Sequence, residues 1–140
     1  MLCYSFRIYK ESRNAGIMNL EHHDLTDKII GAAIEVHKEL GPGYIESIYE
    51  KALVHQLQKT GLSVRQQYEM PINYDRKEVG RHRLDLFVED KIVVELKAVK
   101  KLEAVHFAVV RSYLKAVNQK HGLLINFADT KLQVKRVIFE

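Results

Sequence analysis

Cysteine is nearly absent from the chain, with Cys3 its single instance. That excludes an intramolecular disulfide framework, suits a reducing cytoplasm, and leaves no cysteine cluster for structural zinc. Long apolar runs are missing too: no stretch approaches the roughly 20 residues that a membrane-spanning helix needs. There is no internal repeat, low-complexity tract or linker. Residues 1–17 (MLCYSFRIYKESRNAGI) lack the apolar run and small-residue cleavage site of a secretory signal. They show no clear period either, so residues 1–18 are expected to form a poorly ordered tail ahead of one domain over 19–140.

What is present has the make-up of an ordinary globular domain. The 140 residues, 46% hydrophobic and 29% charged, suit one hydrophobic core rather than a disordered or fibrous chain. The net charge of +4 is modest, and most of it is local. Between Arg76 and Lys101 lie eight Lys or Arg against five Asp or Glu. Such a surplus attracts a polyanion, although from charge alone a solvated charged surface is the commoner explanation.

Apolar residues Leu25, Ile29, Ala33, Val36 and Leu40 follow a helical period over about 20–40, and Gly41-Pro42-Gly43 ends it, with Gly41 placed as a left-handed cap. A second helix is predicted over 44–59, burying Ile45, Ile48, Tyr49, Ala52, Leu53 and Leu57. Extended segments follow at about 64–74, 79–88 and 92–99, rich in Val, Ile, Tyr and Leu. A third helix over 101–118 is expected to turn Leu102, Val105, Val109, Tyr113 and Ala116 inward. Strands at 122–127 and 133–139 complete the order α-α-β-β-β-α-β-β, which predicts a mixed sheet flanked by helices.

The stretch LDLFVEDKIVVELK (84–97) places acids inside two strand-like runs. If a three- or five-residue turn is centred on Asp90, Val88 pairs with Ile92, and counting outward sets Asp85 opposite Glu95. The two carboxylates then share one face with Lys97, because strand side chains alternate. Like charges directly opposed are destabilising unless a cation sits between them. A two-residue turn would send them to opposite faces. Glu46 lies on the helical line of Leu53 and Leu57, so it is expected to point inward, where a carboxylate needs positive charge. A hard cation such as Mg²⁺ would serve.

Plainer explanations exist for each residue. Glu95 and Lys97 can form a surface ion pair, and Glu46 can interact with the dipole of its helix. His37 and His106 can be hydrogen-bonded core histidines, and Tyr49 and Tyr113 can simply pack.

Asp85 followed by Glu95-Leu96-Lys97 resembles the D…(D/E)-x-K signature of the PD-(D/E)XK nuclease superfamily, on a strand hairpin. The superfamily's restriction-endonuclease-like α/β core, α-β-β-β-α-β, is contained in the predicted order. VHKELGPGYIESIYEKAL (36–53) resembles the GxxExxY proteins, with Gly43, Glu46 and Tyr49 as the naming motif. YDRKEVGRHRLDLFVEDKIVVELKAV (74–99) and GLLINF (122–127) fit the same family. One departure stands out. Many superfamily members carry Gln-x-x-x-Tyr on the helix after the lysine strand, and here Tyr113 is preceded by Val109.

The resemblance implies a Mg²⁺-dependent nuclease, with Mn²⁺ as a substitute ion, hydrolysing phosphodiester bonds of DNA or RNA through a metal-activated water. Asp85 and Glu95 would be the main ligands, and Glu46 would complete the acidic cluster directly or through water. Lys97 would orient the attacking water and offset charge on the phosphate. Arg81, Arg83, Lys100 and Lys101 would contact backbone phosphates. A homodimer without membrane association is the expected assembly. The alternative is a nuclease-fold module that binds nucleic acid or a protein partner without cutting.

Overall fold

In the computed structural model, residues 22–140 are described. The expected tail at 1–18, with Cys3, lies outside the described residues. Helix α1 (His23–Leu40) is followed by α2 (Glu46–Lys59) and three strands: β1 (Val64–Tyr74), β2 (Lys77–Val88) and β3 (Ile92–Lys97). Helix α3 (Ala104–Val117), β4 (His121–Asn126) and β5 (Gln133–Ile138) complete the chain. One sheet runs β1-β2-β3-β4-β5. Only β3 and β4 are parallel, and α3 is the crossover between them; the other three pairings are antiparallel.

Two cores flank this sheet. On one face, Ile29, Ala33 and Val36 of α1 and Tyr49, Leu53 and Leu57 of α2 pack on Leu86, Val88, Val94, Leu96, Leu123 and Ile125. On the other, Val110 and Leu114 of α3 pack on Leu84, Phe87, Val93, Leu124 and Val137. Strands buried on both sides read as continuous apolar runs, as IVVEL and GLLIN do. Each fully buried aliphatic side chain contributes about 1.5–3 kcal/mol. Gly122 lets α3 lie close, because a Cβ there would meet Val110 Cγ1 at 3.0 Å and Val93 O at 3.2 Å.

Several local expectations need correction. Helix α2 begins at Glu46, so Ile45 and Ile48 lie at its open N-terminal end, 67% and 41% exposed, rather than in the core. Glu46, the first residue of α2, is exposed as well, not turned inward as its line with Leu53 and Leu57 predicts. Gly41 has φ 70° as a cap requires, but ψ −175° places it in a region essentially reserved for glycine rather than in the left-handed helical one. In α3 the buried residues are Val110 and Leu114, and Val105 is exposed, so the helix is rotated from the predicted phase. Val109 is half-buried rather than core.

Candidate active site

The β2–β3 turn has three residues, Glu89-Asp90-Lys91, and Val88 pairs with Ile92. Glu89 and Asp90 both adopt left-handed backbone, φ 54° and 53°. The ladder runs outward only to Leu86↔Val94. At Asp85, β2 separates from β3, and the side chain takes over where the backbone stops: Asp85 Oδ2 accepts from Leu96 N–H at 2.9 Å.

The same substitution occurs two residues further along. Glu46 Oε2 accepts from Ala98 N–H at 3.2 Å. Residues two apart on a strand present their N–H groups to the same side. That side is opposite β4, because Lys97 O accepts from Phe127 N–H at 2.9 Å. Two carboxylates, one from β2 and one from the start of α2, therefore line the edge of β3 where a neighbouring strand would otherwise pair.

Glu95 stands between them on the strand and faces α3. It is 6% exposed, and Lys97 Nζ lies 3.8 Å from Glu95 Oε2. The other oxygen, Glu95 Oε1, is buried with no hydrogen-bond partner among the described residues. Burial, and then the adjacent Asp85 carboxylate, push Glu95 up to about 9, against a partial opposing effect of Lys97. Tyr113, on α3, is pushed up to about 12 by burial and by the charges of Glu95 and Asp85. Its ring meets His82 edge-on at 4.7 Å. Its hydroxyl thus remains a neutral donor in the field of the acids.

A second layer lies behind Asp85. Glu50, 8% exposed, accepts from Gln66 Nε2 at 2.6 Å and from Gln67 Nε2 at 2.7 Å. Gln67 Nε2 also reaches Asp85 Oδ1 at 3.5 Å.

The structure thus brings Glu46, Asp85, Glu95 and Lys97 to the C-terminal end of β3. Glu46, Asp85 and Glu95 remain more widely spaced than His23, Asp24 and Asp27, whose ligand atoms lie within 4.8 Å of one another. That second group sits in the first turn of α1, where carboxylates suit the helix dipole. Of the basic residues, Arg81 lies 3.5 Å from Glu78 and Arg83 lies 3.7 Å from Glu69. Lys100 and Lys101 are exposed just beyond β3. Their loop is anchored by buried Asn126, which donates to Val99 O at 2.8 Å and accepts from Val99 N–H at 3.1 Å.

His37 contacts Asp129 O at 2.9 Å, and His106 Nδ1 accepts from Glu103 N–H in the cap of α3, so neither faces the acids. Tyr49 packs in the core, stacked on Phe127 at 4.5 Å. Sequence reasoning missed Glu50, Gln66 and Gln67, and assigned Tyr113 to packing. A lone glutamate within a buried helical stripe was the available signal for Glu50.

A sequence profile of the PD-(D/E)XK nuclease superfamily matches residues 23–137, from α1 to β5. The chain belongs to the PD-(D/E)XK nuclease superfamily. Its core order is met by α2, β1, β2, β3, α3 and β4. Among solved structures, the crystal structure of SSO0001 superposes with a TM-score of 0.55 at 16% identity, over 86% of this chain. At that identity the likeness is one of fold. The chain spans 60% of the length of SSO0001. No curated protein matches.

The donor set fits a divalent cation of the kind this superfamily employs. It is all oxygen, which suits Mg²⁺ or Mn²⁺, and the buried Glu95 Oε1 accepts no hydrogen bond among the described residues, so its lone pairs are open to an ion.

Proposed function

We propose that this chain is a Mg²⁺-dependent nuclease, Mn²⁺ substituting, that hydrolyses phosphodiester bonds of nucleic acid. The observation that carries the reading is the buried, unpartnered Glu95 Oε1 beside the Asp85 carboxylate, with Lys97 3.8 Å from the other Glu95 oxygen. Two ionised acids placed this way are costly unless a proton or a cation joins them, and an ion would compete with that proton. Asp85 and Glu95 would hold the ion, with Glu46 completing the cluster directly or through water. Bound there, a divalent cation would neutralise charge on the phosphate and lower the pKa of the attacking water.

The side chains then divide the remaining work. Lys97 orients the water and offsets the negative charge that grows on the phosphoryl oxygens. The neutral Tyr113 hydroxyl donates a hydrogen bond toward the acids or the phosphate. Arg81 and Arg83 on β2 and Lys100 and Lys101 in the loop after β3 would hold the nucleic-acid backbone. The GxxExxY resemblance adds a local reason for Glu46: Gly43 and the Tyr49 hydroxyl shape the loop that starts α2.

Single-stranded, duplex and branched DNA and RNA incubated with Mg²⁺ or Mn²⁺ test this directly. Wild type is expected to cleave at least one substrate. Lys97→Ala should lower the rate by about 10²-fold or more while still binding the ion. Tyr113→Phe is expected to slow cleavage less and to leave metal binding intact. Retained nucleic-acid binding with no cleavage of any substrate would favour the binding-module reading instead.

A further inference from the structure

We propose that Gln67 is a positioning residue for Asp85, its side-chain amide clamped by Glu50 so that the Asp85 carboxylate is held in one rotation. The inference rests on the reading of Asp85 as a ligand for a divalent ion.

The backbone supplies the first argument. Gln67 has φ 52°, in the left-handed region that a non-glycine residue enters only at a cost. No bulge explains it, because Gln66↔Leu86 and Tyr68↔Leu84 keep the same register on either side. What the strained conformation changes is direction. Consecutive strand residues normally project to opposite faces, yet Gln66 and Gln67 both reach Glu50. The partner strand changes with it: Leu86 packs against the α1–α2 layer, and Leu84 packs against α3. The inversion is centred on the level of Gln67 and Asp85.

The chemistry supplies the second. A carboxylate only accepts, so Glu50 dictates that the Gln67 NH₂ group points toward it. That group has two hydrogens. One is directed at Glu50 Oε1, 2.7 Å away, and the other at Asp85 Oδ1, 3.5 Å away. Asp85 Oδ2 is already held by Leu96 N–H. The two contacts fix the plane of the Asp85 carboxylate, and Oδ1 keeps a lone pair for an ion. An amide suits this position. A lysine would compete with the ion for Asp85, and a glutamate would add a third negative charge. At 3.5 Å the hydrogen bond to Asp85 is long and weak, and the 2.7 Å bond to Glu50 is what holds the amide in place for it.

Mn²⁺ binding by calorimetry, with melting temperatures in EDTA, tests the assignment on the wild type, Asp85→Ala, Gln67→Gly and Glu50→Gln. Glycine accepts the left-handed backbone without strain, so Gln67→Gly should fold. Its Mn²⁺ affinity is expected to fall about 10- to 100-fold, the usual effect of losing a group that orients a ligand. Glu50→Gln, which leaves the Gln67 side chain in place, is expected to fall by less and in the same direction. A purely structural role would lower the melting temperature and leave the affinity of the folded protein unchanged. If wild type binds Mn²⁺ and the Gln67 and Glu50 variants match it, the positioning role is overturned, and the Asp85 assignment stands provided Asp85→Ala loses the ion; if Asp85→Ala binds as wild type does, both are overturned. If wild type and Asp85→Ala are alike in failing to bind, both are overturned.

Discussion

The Tyr49 hydroxyl donates to Gly41 O at 2.6 Å and accepts from Tyr44 N–H at 3.2 Å, while its ring is fully buried against Phe127. One side chain thereby ties the loop that launches α2 to the core, and with it Glu46. Tyr49→Phe keeps the stacking and strands the two backbone groups, so urea denaturation should show a loss of about 1–3 kcal/mol. Tyr49→Ala also removes the ring and should cost about 3–5 kcal/mol. A Tyr49→Phe variant as stable as wild type would show that the hydroxyl contributes nothing. Asn126 makes the matching tie on the other side of the site. Asn126→Ala frees the loop carrying Lys100 and Lys101 and should weaken nucleic-acid binding along with stability, as titration of a labelled oligonucleotide would report.

At the level of elements, α3 is held against the sheet by the missing side chain of Gly122. Gly122→Ala places a methyl group 3.2 Å from Val93 O, a backbone atom that cannot swing aside. The expected cost is about 1–3 kcal/mol in denaturant unfolding. Because Tyr113 rides on α3, its place in the field of the acids should shift too. How far such elements can be read in advance depends on what fixes them. The β2–β3 hairpin was legible because it is local: three residues separate Val88 from Ile92, and counting outward brings Asp85 and Glu95 together. Counting could not show that the ladder stops at Leu86 and that the Asp85 side chain replaces it. The phase of α3 was misjudged because Val105 looks apolar, yet the helix starts at Ala104 and leaves Val105 beyond the sheet. Glu50 and Gln67 were hidden for a different reason. Their partners come from α2, β1 and β2, and no propensity scale places a glutamine at φ 52° within a strand.

For the molecule as a whole, the acid cluster couples stability to pH and, through the proposed ion, is expected to couple it to metal. Unfolded Glu95 ionises near 4.5, but in the fold its carboxyl is pushed up to about 9. Between those values the unfolded chain gives up a proton that the folded one keeps. The contribution of this group is therefore complete below about pH 4.5 and is lost as pH rises toward 9. In EDTA, Glu95→Gln should gain on wild type in melting temperature between pH 5 and pH 8.5; parallel profiles would contradict the assignment. Mn²⁺ should raise the wild-type melting temperature more at pH 8 than at pH 5, since the ion competes with the proton for the same oxygens. The arrangement along β3 also bears on how the interior of the sheet is completed. β3 lies between β2 and β4, and Leu96 is buried, so its N–H would be a stranded donor costing about 1–3 kcal/mol if nothing accepted from it. Asp85 accepts from it and Glu46 accepts from Ala98 N–H, so the groups assigned to catalysis also finish the hydrogen bonding that β2 leaves undone. In denaturant unfolding, Asp85→Ala should lose stability of that order while Lys97→Ala keeps it.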